Sequence, residues 1–336
     1  MVKANAYGHG AITITKECEQ LGAVGVGVAD IHEASFLRQE GYQGEILCLG
    51  ALGQVQFKEA LKYDIVLTIH SFQEMETLEG FYRSSPSPLR VHIEIETGMH
   101  RLGIEPEHWT KCASILAKMS KIRVEGIFTH LAESENPTRQ FTEEQLNSFE
   151  KASNSFEKIL KRKLIRHVAN SGAILNHKKA HLDWVRPGIL LYGYPPTEVG
   201  PKGASFIPIL EWRAPIIQIK RIASGESVGY NRAFCATIPM TIGTIAVGYG
   251  DGYRRGFQKI GVGFKGKRCR ILGNICMDLM MIDVSSMGNV NEGDEVFVLG
   301  RGEQGEPSAR ELAQAVQTIP YEVTTGIGRR VIREVV

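Results

Sequence analysis

The 336-residue sequence lacks any hydrophobic run long enough to cross a lipid bilayer, which takes about 20 apolar residues. Its longest apolar stretches cover residues 21–29, 188–191 and 214–217. The opening segment, MVKANAYGHG, is polar and glycine-bearing, whereas a signal peptide needs an apolar core. We therefore expect a cytoplasmic protein with no membrane partner.

A strong charge of one sign is also lacking, because 39 lysines and arginines face 37 aspartates and glutamates. Neither basic runs nor stripes of basic and aromatic residues occur, so we expect no nucleic-acid partner. The six cysteines form no CxxC pair and have no regular spacing. They predict reduced thiols rather than a disulfide framework, and we expect no metal site.

What the sequence does contain is an alternation of two local patterns between residue 22 and about residue 192. Segments with helical spacing, such as IHEASFLRQEG and FTEEQLNSFEKASNSFEKILK, separate seven short β-rich runs. These runs are residues 23–30, 45–50, 65–70, 89–97, 124–131, 165–170 and 184–193. Strands that are each joined to the next by a helix form a parallel sheet.

Two architectures accommodate this alternation, a doubly wound open sheet and a (β/α)8 barrel. The barrel needs one more strand, for which residues 1–5, MVKAN, are the candidate, followed by the helix-like GAITITKECEQLG. On that count the chain begins inside the first strand of the barrel.

The local pattern changes after about residue 205, where strand-like runs separated by turn residues replace the helical spacing until SARELAQAVQ. The change follows a segment rich in proline and glycine, residues 194–206. We therefore predict an α/β chain with two domains. A (β/α)8 barrel with an incomplete first strand covers residues 1–200, and a mainly β C-terminal domain covers residues 201–336.

Polar residues at the C-terminal ends of the predicted strands are the candidates for chemistry, since barrels carry their active sites there. They include Lys3, Arg101, His130 and Arg186. Each of them alone would more often be an ordinary surface charge. Three cations and a histidine at one mouth predict an anionic ligand.

Ser171 lies in ANSGAIL, where a predicted strand meets its helix. Free backbone amides and the helix dipole favour a phosphate at such a junction, and Gly188 would allow close backbone approach. The alternative is an ordinary serine N-cap. A lysine with a phosphate site opposite is what pyridoxal phosphate (PLP) needs, although spacing alone does not establish it.

Nine motifs in order carry a resemblance to a known family: VKANAYGHG, ETGMHRLG, GIFTHLAES, HVANSGA, VRPGILLYG, VGYNRAF, VGYGDGYRR, ICMDLMMIDV and IPYEVTT. They resemble the motifs of the alanine racemase family over essentially the whole chain. The resemblance implies a PLP-dependent homodimer with shared active sites that acts on a small amino acid. The implied reaction interconverts L-alanine and D-alanine through a PLP aldimine and supplies D-alanine for peptidoglycan.

The resemblance also implies a role for each matched residue. Lys3 is similar to the lysine that holds PLP and acts as the base on one face of the substrate α-carbon. Tyr230, supplied by the second subunit, matches the base on the opposite face, and His130 matches the histidine that hydrogen-bonds it. Arg186 matches the arginine facing the pyridine nitrogen, and Arg101 the one beside the cofactor's phenolic oxygen and the substrate carboxylate.

The remaining matches concern the phosphate of PLP, the carboxylate of the substrate and the entrance to the site. Those that bind the phosphate are Tyr7, Ser171 and Tyr321, with the backbone at Gly188 and Ile189. Met277 matches a residue whose backbone meets the substrate carboxylate. Tyr249 is similar to the tyrosine that narrows the entrance.

Two departures from the family pattern stand out. Glu94 occupies the position where the family often has a carbamylated lysine that orients the arginine matched by Arg101. We interpret it as an encoded negative charge, the alternative being an outward-facing strand glutamate. Family members also extend upstream of the lysine motif, whereas Met1 stands two residues before Lys3. We therefore expect a longer natural protein, with the first strand completed by upstream residues.

Two other functions compete with racemisation. A non-catalytic PLP-binding protein would keep the barrel and the lysine, but simple carriers of this fold lack the β domain that holds Tyr230. The related barrel decarboxylases would need a differently composed substrate pocket, and their motifs do not match this order.

Overall fold

The computed structural model describes residues 1–50, 53–82, 87–138, 140–196 and 205–336. The chain divides into two compact units. The first comprises Met1–Ala6, Gly10–Leu191 and Pro195–Phe206, and the second comprises Tyr7–His9, Tyr192–Tyr194 and Ile207–Val336. The predicted domain boundary at residue 200 lies outside the described residues.

Strands and helices alternate along the first unit. Its strands are β1 (Gly25–Val28), β2 (Glu45–Cys48), β3 (Leu67–Ile69), β4 (Leu89–Glu94), β5 (Ile122–Phe128) and β6 (Ile165–His167). Its right-handed helices are α2 (Ala11–Gln20), α3 (Ile31–Gln39), α4 (Gln54–Tyr63), α5 (Phe72–Tyr82), α6 (Trp109–Leu116), α7 (Gln140–Leu160) and α8 (Ser171–Asn176). They follow α1 (Lys3–Tyr7), a left-handed turn whose last residue belongs to the second unit.

The strands of the first unit form a parallel ring. β1 pairs with β2, and β3, β4, β5 and β6 pair in that order. Val66 joins β2 to β3, because its N–H bonds to Ile46 O at 2.9 Å and its carbonyl accepts from Cys48 N at 2.8 Å. On the far side of β6, Trp184 pairs in parallel with His167. The predicted barrel, rather than the doubly wound open sheet, is therefore confirmed.

The first two residues close the ring. Val2 N donates to Gly27 O at 2.9 Å, and the Met1 α-amino group donates to Pro187 O at 2.9 Å. A cavity of about 450 Å³ lies beside this closure, with Gly25 and Trp184 among the residues that line it.

The strand predicted over residues 1–5 is wrong beyond Val2. Ala4, Asn5 and Ala6 have φ values of 52°, 54° and 54° and form the left-handed turn α1. This conformation costs roughly 1–2 kcal/mol per residue, so local bonds have to hold it. Ala4 N donates to Glu33 Oε1 at 2.6 Å, and Ala6 N donates to Val2 O at 2.8 Å.

The strand predicted over residues 184–193 is also largely wrong. Only Trp184 makes a parallel bridge there, and Ile189–Tyr192 forms a 3-10 turn. The reason is that the Gly188 and Leu190 amides turn toward the Ser171 hydroxyl, 2.9 and 3.3 Å away, instead of toward a neighbouring strand.

The second unit is mainly β, as predicted. Its strands are β7 (Trp212–Ile222), β8 (Ser227–Val228), β9 (Phe234–Cys235), β10 (Met240–Ile245), β11 (Val262–Phe264), β12 (Lys267–Cys269), β13 (Ile271–Leu272), β14 (Met280–Asp283) and β15 (Glu295–Leu299). Seven of them form an antiparallel sheet in the order β12-β11-β15-β7-β10-β14-β13, and β8 pairs with β9. Two short helices follow, α9 (Ala309–Ala315) and α10 (Pro320–Thr325).

The length and hydropathy of the helices show whether any of them could cross a membrane. Among the residues that the structure describes, none of the helices is both long and apolar enough to cross a bilayer.

Buried polar side chains from several strands meet inside the barrel. His92 on β4 and His167 on β6 are 1% and 0% exposed, and their ring nitrogens lie 2.8 Å apart. Gly126 on β5 makes room for them, because a Cβ there would stand 2.5 Å from the His92 ring. The missing side chain at this position is therefore a packing requirement.

We expect Gly126→Ala to destabilise the barrel by about 1–3 kcal/mol, the usual result of forcing an extra carbon into a packed core. Gly80→Ala on α5 is the control, because a Cβ there meets nothing within 4 Å. Urea unfolding followed by circular dichroism measures both. Equal midpoints for Gly126→Ala and the native chain would contradict the packing argument.

Candidate active site

Lys3 begins the left-handed turn α1 at the point where the barrel closes. Its side chain is half-buried, and burial lowers the pKa of its amine. The charge of Arg101 lowers that pKa further, and the carboxylate of Glu33 partly opposes both effects. Glu33 also accepts Ala4 N at 2.6 Å and Ala29 N at 2.8 Å. It therefore ties the turn that carries Lys3 to the end of β1.

The Arg186 guanidinium is almost completely buried inside the barrel, with the residue 9% exposed. Nη1 donates to His167 Nδ1 and His167 O, both at 2.7 Å, and Nη2 donates to Thr129 O at 2.7 Å and Val168 O at 3.2 Å. The guanidinium also lies 5.0 Å from the centre of the Phe128 ring. Burial lowers its pKa to about 10, so it remains a cation at neutral pH.

The contacts of Arg186 assign the protons of two buried histidines. An arginine N–H can only donate, so His167 Nδ1 accepts and the proton of this ring lies on Nε2. His167 Nε2 then donates to His92 Nδ1 at 2.8 Å. Burial holds the pKa of His92 at about 3 and the pKa of His167 well below its ordinary value. Both rings are neutral donors and acceptors that satisfy Arg186 without adding charge.

His130 follows β5 and is half-buried at the same mouth, where its carbonyl accepts from Gln145 Nε2 at 3.2 Å. Burial lowers the pKa of its ring to about 3, and the charges of Arg186, Arg101 and Lys3 act in the same direction. The four residues predicted to converge are thus close enough to affect one another's protonation.

Ser171 is buried and is not the N-cap of its helix. Asn170 caps α8 by accepting Ala173 N at 3.1 Å, so the alternative of an ordinary serine cap is wrong. The Ser171 hydroxyl instead accepts from Gly188 N and Leu190 N. A hydroxyl and two backbone amides therefore lie together beside the start of a 3-10 turn, and the hydroxyl proton is left to donate to an anion.

Glu94 is 5% exposed, so the outward-facing alternative is wrong. Its Oε2 lies 2.7 Å from Nδ1 of His70, which is also buried. The expected direct pairing with Arg101 is not observed, since within the described ranges the side-chain partner of Glu94 is His70. The reason is that His70 directly follows β3, the strand beside β4, whereas Arg101 is exposed in a loop.

The other candidates lie in the second unit. Tyr7 and Tyr321 are neighbours, with ring centroids 5.9 Å apart, and burial raises the pKa of Tyr7 to about 12. Tyr230, Tyr249 and Met277 are exposed by 71%, 44% and 54%. Tyr249 and Met277 belong to adjoining turns, because Tyr249 N donates to Cys276 O and Gly250 N donates to Met277 O. Tyr230 is joined to the segment before Met277, because Asn274 Nδ2 donates to Tyr230 O at 3.1 Å.

Sequence reasoning missed several residues that shape the site. His92 and His167 lie inside predicted strands with alternating character, RVHIEIE and IRHVAN, where a histidine on the inward face was the available signal. His70 ends the predicted strand 65–70, so the rule about polar residues at strand ends could have found it. Glu33 left no such signal, since its importance comes from the amides of Ala4 and Ala29 that it accepts.

The chain matches family models along nearly its whole length. A model described as "Alanine racemase, N-terminal domain" matches residues 1–196, and one described as "Alanine racemase, C-terminal domain" matches residues 209–335. "Alanine racemase 1" of Clostridium acetobutylicum is 37% identical over 336 residues, which is 99% of this chain and 87% of that protein. Alanine racemase of Halothermothrix orenii is 34% identical over 335 residues, 99% and 88% of the two chains.

Solved structures agree with these matches. Alanine racemase of Clostridium difficile 630 has a TM-score of 0.93 and 32% identity, with 98% of this chain and 86% of that chain covered. Alanine racemase of Bacillus anthracis, solved with bound L-Ala-P, has a TM-score of 0.90 and 31% identity over the same shares.

The influence of Arg101 on Lys3 can be measured without any cofactor. We expect the Lys3 amine to react with acetic anhydride at lower pH than an ordinary lysine, because burial and Arg101 favour its neutral form. In Arg101→Gln, the pH dependence of this reaction should shift upward. Mass spectrometry of the Lys3 peptide after brief labelling across a pH series provides the test. An unchanged profile in Arg101→Gln would mean that Arg101 does not influence Lys3.

Proposed function

The chain belongs to the alanine racemase family, a family of isomerases, and we propose that it interconverts L-alanine and D-alanine with PLP as its cofactor. The observation that carries the proposal is Lys3, an amine whose pKa is lowered by burial and by Arg101 at the mouth of the barrel. A lowered pKa increases the share of neutral amine, which is the form that reacts with an aldehyde.

The donor set fits both ends of PLP. The Lys3 amine suits the aldehyde. The Ser171 hydroxyl accepts from the amides of Gly188 and Leu190, which leaves its own O–H to donate to a phosphate. We assign the backbone at Ile189 to the phosphate as well. The family resemblance assigns Tyr7 and Tyr321 to the phosphate as well. Tyr7 suits this role because burial raises its pKa, so it remains a neutral hydrogen-bond donor.

Arg186 would meet the cofactor through its Nε–H. Both terminal nitrogens of Arg186 already donate to protein acceptors, so within the part of the chain that the structure describes Nε is the remaining donor. A guanidinium with a pKa of about 10 donates a hydrogen bond to a pyridine nitrogen without giving up its proton. An unprotonated ring is a weaker electron sink, which suits an enzyme that only moves a proton.

Racemisation takes a proton from one face of the substrate α-carbon and returns one on the other. PLP, when bound, supplies the electron-withdrawing group that makes this proton acidic. Lys3 Nζ is the base on one face, and the phenol of Tyr230 of the partner subunit acts on the opposite face. The exposure of Tyr230, 71% in one chain, supports a role at a surface shared in a homodimer.

Other residues would bind and orient the substrate. The guanidinium of Arg101 would bind the substrate carboxylate, since it is an exposed cation beside Lys3. His130 is neutral at physiological pH and can accept a hydrogen bond from the phenol of Tyr230 of the partner subunit. Met277 of the partner subunit would contribute its backbone to the carboxylate, and Tyr249 of the partner subunit would narrow the entrance.

The cellular role that we propose follows from the product. D-Alanine made in the cytoplasm would supply peptidoglycan synthesis.

Alanine racemisation by the PLP-saturated protein tests the proposal directly. We expect L-alanine and D-alanine to interconvert, and borohydride treatment to fix the cofactor on Lys3. Racemisation with the label on Lys3 supports the proposal. A label on Lys3 without turnover would indicate a non-catalytic PLP-binding protein, and release of carbon dioxide from an amino acid would indicate a decarboxylase.

Tyr230→Phe tests the assignment of the two faces. Because a general acid or base contributes on the order of 10²–10⁴ in rate, we expect kcat to fall by at least about 100-fold while PLP still binds. The control is Tyr63→Phe on α4, which should change neither kcat nor the binding of PLP. Exchange of the α-proton with deuterium from solvent should also become unequal for the two enantiomers. Near-normal turnover of Tyr230→Phe in both directions would rule out the two-base assignment.

A further inference from the structure

Arg101 lies in a short loop, residues 97–103, that leaves the barrel after β4 and returns to it at Ile104. Ile95 and Ile104 form a parallel bridge at the base of this loop. Gly103 packs so closely there that a Cβ would stand 2.5 Å from Glu96 N. The position of Arg101 therefore depends on what holds this base.

Two backbone carbonyls hold the returning end of the loop. His70 O accepts Gly103 N at 3.1 Å, and Glu94 O accepts Ile104 N at 2.8 Å. The side chains of the same two residues form the buried contact of 2.7 Å between Nδ1 and Oε2. The ion pair therefore joins the two residues whose backbone carbonyls hold the returning end of the loop.

The imidazole of His70 is anchored on its other side as well. Its Nε2 lies 3.2 Å from Gly50 O, after β2, and its backbone N–H donates to Glu74 Oε2 at 2.7 Å. Both ring nitrogens face an oxygen acceptor, an arrangement that favours the doubly protonated, cationic ring. Burial alone would lower the pKa of His70, but the hydrogen bond and charge of Glu94 outweigh burial and raise it.

The outgoing end of the loop has a separate anchor. The carboxylate of Glu96 accepts Gly98 N and also His100 N, the latter at 2.7 Å. Arg101 is therefore the charged residue between two fixed points, Glu96 on one side and the pair of His70 and Glu94 on the other. Neither anchor is a side-chain bond to Arg101, so the guanidinium stays available for a ligand.

We infer that His70 and Glu94 are positioning residues for Arg101. Their ion pair holds the loop of residues 97–103 in the position in which the Arg101 guanidinium meets the substrate carboxylate. That role of Arg101 rests on the proposed function, whereas the tethering of the loop does not. Displacing a binding group by about 1 Å can cost on the order of 100-fold. Loss of the pair should therefore act on substrate binding more than on PLP binding.

The test uses Glu94→Gln, His70→Gln and the double variant in the full chain. The matched control is Glu125→Gln, which removes a half-buried carboxylate from β5 that pairs with Arg90 and Arg123, each at 2.9 Å. Two readouts are needed. One is amide hydrogen exchange at Gly103 and Ile104 in the cofactor-free protein, and the other is the KM for alanine beside the Kd for PLP.

We expect faster exchange at Gly103 and Ile104 in each single variant, a KM increase of roughly 10- to 100-fold, and a PLP Kd within about twofold of native. The double variant should be no worse than the poorer single variant, because the two side chains act as one unit. The Glu125→Gln control should leave both the exchange and the KM unchanged. If one single variant fails to fold, the other decides alone.

Unchanged exchange at Gly103 and Ile104 would overturn the tethering. Faster exchange with an unchanged KM would overturn the positioning role and leave the pair merely structural. A native chain that shows no racemisation would contradict the proposed function instead, and the exchange measurement would still decide whether the pair tethers the loop.

Discussion

A guanidinium removed from water inside a barrel constrains everything that surrounds it. Deprotonating Arg186 costs a large free energy, so the guanidinium stays charged inside the barrel. Each of its buried N–H groups therefore needs a hydrogen-bond acceptor. Here the acceptors are mostly neutral: backbone carbonyls and the ring of His167. That choice forces His167 and His92 into one proton arrangement and leaves no room for a side chain at Gly126. The nearby carboxylate of Glu94 offsets part of the desolvation.

Glu94 connects the buried guanidinium of Arg186 with the residues at the mouth of the barrel. Because this carboxylate influences Arg186 and bonds to His70, the interior and the Arg101 loop share one buried anion. Losing one partner of a buried pair typically costs 3–5 kcal/mol, far more than losing a surface pair. A negative charge at this position is thus tied to two cations. A direct bond to Arg101 would have to compete with both.

Local sequence patterns predicted the helices and strands whose formation depends on residues close together in the sequence. The spacing of apolar residues located α3 and α7, since one buried face of a helix is visible in the sequence. The segments MVKAN and WVRPGILLYG have strand-like composition, yet most of each forms turns. Their conformations are set by Glu33 and by Ser171, which are distant along the chain. No local pattern can reveal such partners.

The same division applies to the candidate site. The rule about strand ends selected Lys3, Arg101, His130 and Arg186, although Lys3 lies in a turn and Arg101 in a loop. Repulsion from neighbouring cations lowers the pKa values of Lys3, Arg186 and His130. Arg101 lowers the pKa of both Lys3 and Arg186, and all three cations lower that of His130. An anionic ligand would relieve this repulsion, and any ligand that binds only the folded chain also stabilises it. The mouth therefore couples folding to binding through charges that no single motif contains.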